Sequence, residues 1–421
     1  MRLYNSQSQT VELFVPRGEP VTIYVCGITP YDTTHVGHAF TYVMADVLIR
    51  YLEWSGHTVR YVQNVTDIDD DILRRAAEVG EPWDRLGNRW TAHFIRDMQQ
   101  LNVRPPDYFP RATSAIPQII ESVQALLEAG LAYESGGSVY YHVAANPHFG
   151  RLSHLPPDQM LEIANERGNR PDDPHKLDPL DFVLWQAQAP GEPAWDSPWG
   201  PGRPGWHIEC STLAHTYLGA TLDLHGGGSD LIFPHHECEI AQLEPLTGAH
   251  PFVRCWFHTA MVRHQGEKMS KSLGNLVMVR DLLQTVSADA LRLYLAGHHY
   301  RREWSFEEAE LDPAARLAQQ LAAAASLPSD ENSPPLETAH FRERFRQAMD
   351  DDLNTPAALD VLVDLATTIQ TAAGCNVAPA QAELAGLAGV FGLRLHAGDI
   401  EARVRSGWAA HLRNFPVEES R

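Results

Sequence analysis

The chain has 421 residues, 44% hydrophobic and 21% charged. That is an ordinary globular balance, which excludes a disordered polymer and suggests two to three domains of about 150 residues each. Asp and Glu number 54 against 33 Lys and Arg, a formal charge of −21. So acidic a surface argues against holding nucleic acid by general charge attraction, although a local basic patch stays open. Five cysteines are no disulfide framework. The start, MRLYNSQSQTVELFV, lacks the build of a secretion signal, and no run approaches the roughly 20 apolar residues of a membrane span. A soluble, reducing, cytoplasmic setting is expected.

In chain order, Val21-Thr-Ile-Tyr-Val25 reads as a buried strand ending in Cys26-Gly27. A helical pattern starts soon after Gly37 and runs through Tyr42, Val43, Val47, Leu48 and Tyr51. Val59 to Gln63 gives a second strand. Asn64-Val-Thr-Asp follows, with Thr66 and Asp69 spaced as a capping box at the head of a helix. Strand, helix, strand, helix with short joints predicts a parallel sheet in an α/β domain. Residues from about 105 to 200 are rich in Pro, Gly, Asp and His and read as an insertion between two halves of a nucleotide-binding domain. Apolar alternation returns at Thr221-Leu-Asp-Leu and near Trp256. Beyond Trp304, LAQQLAAAA and ALDVLVDLATTI predict helices separated by the joint LPSDENSPPLE, hence a C-terminal helical bundle. The expected division is 1–310, 311–395, and a short tail over 396–421.

Thr34-His-Val-Gly-His38 falls between the first strand and its helix. A helix N-terminus offers unpaired N–H groups and a positive dipole end, Gly37 permits close approach, and His35 and His38 can donate to phosphate oxygens. Gly266-Glu-Lys-Met-Ser-Lys-Ser272 brings two ammonium groups and two hydroxyls within five residues, as charge stabilisation on a leaving pyrophosphate requires. Cys26, Cys210, His235 and Glu239 form a candidate Zn²⁺ set. His235 and Glu239 are four apart after Pro234, a residue favoured at the first helical position. Buried thiols and a capped helix are the alternative. Asp69, Asp70 and Asp71 read as an acidic first turn rather than a magnesium site, and Cys238 and Cys255 as structural.

The pairing of HVGH with KMSKS resembles the two signatures of class I aminoacyl-tRNA synthetases. YVCGITPYD, NVTDID, KLDPLDFVLW, GRPGWHIECS, GGGSDLIFPHHE, GEKMSKSLGN and ADALRLYL resemble the cysteinyl-tRNA synthetase family, including the related cysteine ligase of mycothiol biosynthesis. The resemblance runs from the N-terminus to about residue 395. It implies a Rossmann-like catalytic domain with an insertion, followed by a helical bundle. It also implies a zinc ion that reads the cysteine sulfur as thiolate through Cys26, Cys210 and His235. By the same resemblance Gly27, Ile28, Thr29, Thr41, Asn64, Val65, Thr66, Trp206, Gly228, Ser229, Asp230 and Val262 surround a cysteinyl-adenylate. His35, His38, Lys268 and Lys271 would stabilise the α-phosphate during attack, with Mg²⁺ accompanying ATP.

Two acceptors follow from the resemblance. CGITPYD, Ser229 and the segment Glu166-Arg-Gly-Asn-Arg-Pro171 resemble the ligase that joins cysteine to the amino sugar glucosaminyl-inositol, although Asn169 and Arg170 depart from its ERGGDP. The tail HAGDIEARVRSGWAAHLRNFPVEESR is too short for its own core, so no anticodon-binding module is expected. Glu239 and AMDDDLNTP resemble the enzymes that charge tRNA. The amino-sugar acceptor is the leading expectation and tRNA the second. A paralogue that catalyses nothing would ordinarily lose a signature histidine or lysine, and this sequence keeps them all.

Overall fold

A computed structural model describes residues 1–31, 34–269, 273–395 and 401–416. Its centre is a four-stranded parallel sheet in the order Val253–Thr259, Leu222–Gly228, Val21–Ile28, Val59–Val65. The helix Val36–Trp54 makes the first crossover, with fourteen buried residues. So broad an apolar surface reflects its place between the sheet and the helices beyond it.

The register of the two strands flanking this crossover shifts between Val25 and Ile28. Gly27 stands at that irregularity, and a Cβ there would lie 1.6 Å from the Asn64 carbonyl oxygen. Only glycine lets the strands approach so closely. The Gly27 N–H donates to Asn64 Oδ1 at 2.8 Å, which fixes the ends of both strands where Cys26 leaves the sheet.

The region expected as an insertion carries a separate antiparallel sheet of Ala132–Ser135, Ser138–Tyr141, Phe182–Ala187 and Gly202–Pro204. It packs with the helix Ile116–Glu128 in the same apolar core as one face of the parallel sheet. On the other face the four helices Leu311–Ala325, Ala339–Asp350, Thr355–Thr371 and Ala378–Val390 do not close on a core of their own. Phe345, Leu362, Leu365 and Leu387 are continuous with Val25, Phe40 and Leu48. At this junction Asp46, fully buried, faces both Arg50 at 3.0 Å and Arg292. The tail also turns back: the helix Ala402–Leu412 lies on Trp83–Gln100, with Trp408 fully buried.

Two local expectations are corrected. No capping box forms, because the Thr66 N–H is taken by the Ile28 carbonyl at 3.0 Å, which keeps Thr66 at the sheet edge. The helix starts at Asp70, and its cap is Asp69, which accepts from the Asp71 N–H. Pro234 is not a first helical residue either. The Phe233–Pro234 peptide is cis, Phe233 is extended, and the regular helix is Glu237–Thr247.

Candidate active site

Cys26, Cys210, His235 and Glu239 converge although they leave a strand end, the helix Trp206–Leu218, the kinked turn and the helix after it. All four are buried. Cys26 Sγ lies 3.9 Å from Cys210 Sγ and 3.7 Å from Glu239 Oε1, and His235 Nε2 is 3.0 Å from Glu239 Oε1. Zinc–sulfur bonds of about 2.3 Å in a tetrahedron place two sulfurs about 3.8 Å apart, so the donor set fits zinc. His235 Nε2 is buried and, beyond its approach to Glu239 Oε1, has no well-aligned hydrogen-bond partner among the described residues. Its Nδ1 lies 2.9 Å from His207 Nδ1, which orients the ring and leaves Nε2 for a metal. Glu239 is held from behind by His225 Nε2 at 2.8 Å. The hydrogen bond from the Cys26 thiol, against the cost of burial, brings the Cys210 thiol down to about 6, toward the thiolate a metal needs.

His225 and His236 also converge on Cys26 and Glu239. That set shares two donors with the first, and His236 is already committed between Cys26 Sγ at 3.2 Å and His258 Nε2 at 2.7 Å. His258 continues to Ser6 Oγ. We read these rings as the hydrogen-bonding shell of one centre.

Cys26, Cys210 and His235 open into a cavity of about 1640 Å³ that is also lined by Gly27, Thr29, Thr41, Asn64, Thr66, Trp206, Gly228, Asp230 and Val262, while Glu239 is not part of that lining. Three residues expected here do not line it. Val65 points into the core by the alternation of its strand, Ile28 reaches the same core because the irregularity after Val25 shifts its face, and Ser229 is absent from the lining. Trp206 stacks on His235 with ring centroids 4.4 Å apart, and Thr41 Oγ1 bonds Thr259 Oγ1 at 2.7 Å. His35 caps the helix Val36–Trp54, its ring accepting from the His38 N–H, and the two rings stack at 3.7 Å. Burial, then the neighbouring His38, holds His35 down at about 2, and burial holds His38 at about 4. Both are neutral near pH 7, each with one ring N–H to donate. Lys271 lies outside the described residues, and Lys268 is described only by its backbone place in the strand Glu267–Lys268.

From the metal donors the cavity runs on to the insertion, where Arg167, Asn169, Arg170, Asp173 and Lys176 line it. Arg167 Nη1 reaches Asp230 Oδ2 at 3.1 Å and ties the two walls together. Sequence reasoning missed His207, His225, His236 and His258 as supports of the metal donors. The HIEC and PHHE strings held part of that signal. It also missed Glu209, a fully buried carboxyl beside Cys210, Thr66, Asp67 and Asp69.

A strand-end cavity with a thiol, imidazole and carboxylate donor set beside a capped helix start is the arrangement of an α/β enzyme whose ligands bind at the ends of parallel strands. Residues 14–316 match the family described as tRNA synthetases class I (C) catalytic domain, and residues 344–396 match the DALR domain. The chain belongs to this class I family. It is 45% identical over 404 residues to a cysteine--tRNA ligase of Dehalococcoides mccartyi, covering 94% of this chain and 86% of the relative. It is 48% identical over 358 residues to an L-cysteine:1D-myo-inositol 2-amino-2-deoxy-alpha-D-glucopyranoside ligase of Parafrankia sp., covering 85% and 79%. The structure of Mycobacterium tuberculosis methionyl-tRNA synthetase in complex with methionyl-adenylate superposes with TM-score 0.62 at 18% identity, over 94% of this chain and 93% of that one, a likeness of fold. Among the described residues no helix is long and apolar enough to cross a membrane.

Proposed function

We propose that the chain is an ATP-dependent cysteine ligase that forms cysteinyl-adenylate and transfers the cysteinyl group to the amine of glucosaminyl-inositol. The relatives' names support the cysteine ligation, and membership of the class I synthetase family supports the use of ATP. The observation that carries the acceptor is the polar extension of the cavity along residues 166–176, which gives a small polyhydroxylated amine a place beside the adenylate site.

In the first step a carboxylate oxygen of cysteine attacks the α-phosphorus of ATP and pyrophosphate leaves. His35 and His38, neutral donors at the helix start, face the charge that develops on the α-phosphate. Lys268 and Lys271 serve the leaving pyrophosphate, and Mg²⁺ accompanies ATP. Cys26, Cys210, His235 and Glu239 would hold a zinc ion, which would supply a Lewis acid for the substrate sulfur and separate cysteine from serine better than pocket size can. Thr41, Asn64, Thr66 and Trp206 hold the amino-acid portion, and Asp230 the nucleotide side. In the second step the acceptor amine attacks the mixed anhydride, an amide bond forms, and AMP leaves.

Charging of tRNA is the second reading. Glu239 within the donor set favours it, as does the D. mccartyi relative's name. The test is cysteine-dependent AMP formation with glucosaminyl-inositol in one reaction and tRNA for cysteine in another. Stimulation by the amino sugar alone supports the proposal. Stimulation by tRNA alone replaces it with the second reading.

A further inference from the structure

The strand end Asn64–Thr66 borders the cavity beside Cys26: Asn64 Oδ1 holds the Gly27 N–H, and Asn64 Nδ2 reaches Thr66 Oγ1 at 3.2 Å. Behind it runs an outer segment that continues the sheet edge. The Gln63 N–H donates to the Tyr108 carbonyl at 3.1 Å and the Val65 N–H to the Pro110 carbonyl at 2.9 Å. Asp67, directly after Thr66 and buried, accepts from the Thr113 N–H at 2.9 Å and from its hydroxyl at 2.6 Å. Arg111 Nη1 stands 3.5 Å from the same carboxylate.

What holds this outer segment is the tail. Trp408 Nε1 donates to the Val103 carbonyl at 2.8 Å, and His411 Nε2 lies 2.8 Å from the Pro106 carbonyl. Phe109 is packed among Trp408, His411 and Phe415, with centroids 5.7, 5.5 and 5.8 Å away. The Arg111 guanidinium sits 4.1 Å from the Phe415 ring centroid and hydrogen-bonds the Asn414 carbonyl. Arg111 thus touches the tail with one side and Asp67 with the other.

We propose that residues 408–415 buttress the cysteine end of the active site, with Arg111 and Phe415 as positioning residues that fix the Asn64–Thr66 strand end through Asp67. A tail docked only for stability would need Trp408 in its pocket. It would not need an arginine stacked on its last described aromatic ring and aimed at the residue beside the cavity wall. Stacking on Phe415 takes rotamer freedom from Arg111 before cysteine arrives, so its contact with Asp67 is pre-organised. The inference rests on the reading that Asn64–Thr66 faces the substrate cysteine.

The test uses the full chain and cysteine-dependent pyrophosphate exchange, with KM for cysteine and for ATP measured separately, well below the melting temperature. Phe415→Ala should raise KM for cysteine about tenfold and leave KM for ATP within about twofold, since a shift of under 1 Å suffices for such a loss. Phe415→Tyr keeps the ring and should restore the parent value. Leu365→Ala, in the core of the C-terminal helix Thr355–Thr371, should lower the melting temperature without moving KM. Thr66→Val separates the two layers of argument. If it raises KM for cysteine while Phe415→Ala does not, the buttress is overturned. If it too changes nothing, the placement of the strand end at the substrate fails and the buttress with it. Should Phe415→Ala not fold, Arg111→Lys retains the charge but loses the planar stack, and it must show the same selective rise.

Discussion

Gly27→Ala is the sharpest perturbation this fold offers. The new methyl group would stand 1.6 Å from a backbone oxygen of the neighbouring strand, and a normal carbon–oxygen contact needs about twice that distance. The side of the clash that must yield is main chain inside a sheet, so no rotamer can relieve it. Forcing the strand ends apart costs about 1–3 kcal/mol as overpacking. Losing the 2.8 Å bond from the Gly27 N–H to Asn64 adds about 1 kcal/mol, for about 3 kcal/mol in all. Cys26 and Asn64 move with the strands, and misplacement by about 1 Å costs about a hundredfold in rate. Denaturant unfolding and pyrophosphate exchange on the same preparation check both figures. A variant within about 0.5 kcal/mol of the parent, as for an ordinary surface change, with exchange undiminished would refute the reasoning.

The metal donors give a second prediction. His225→Gln removes the ring behind Glu239 and should weaken zinc binding about 10–100-fold, read by competition with a chromophoric chelator; unchanged affinity would show that Glu239 is not a ligand. Asp46→Asn leaves Arg292 buried without its counter-ion and should cost about 3–5 kcal/mol in urea unfolding. A loss below 1 kcal/mol, the range of an exposed ion pair, would count against that network. Burial pushes Asp97 up to about 6. A carboxyl protonated more readily in the folded chain than at its unfolded value of about 3.9 weakens the fold as pH rises from about 4 to 6. The parent's stability relative to Asp97→Asn should fall across that window by at most about 3 kcal/mol and level off by about pH 7; a constant difference argues against the shift. Lys268→Ala should abolish cysteine-dependent pyrophosphate exchange, and retained exchange would overturn its assigned role.

What the amino-acid sequence determined alone is what depends on a few neighbouring residues. The β-branched runs at 21–25 and 59–63 became strands because alternation and branching act over five or six positions. HVGH fell at a helix start because capping needs only His35 and the N–H three residues on. The same locality explains the misses. Thr66 has the right spacing for a cap, but the sheet takes its N–H first. Pro234 has the right place for a helix start, but the chain kinks at a cis peptide. The residue types group Cys26, Cys210, His235 and Glu239 as a candidate set, but only tertiary structure brings Cys26 and Cys210, 184 residues apart, within ligand distance of one another and of the other two. It also decided that the C-terminal helices share the catalytic core and that the tail, too short to bury Trp408 within itself, borrows the wall behind the active site. Hydrophobic burial carries no address along the chain. Which distant surfaces meet is set by sheet order and register, and these become visible only when the whole chain has folded.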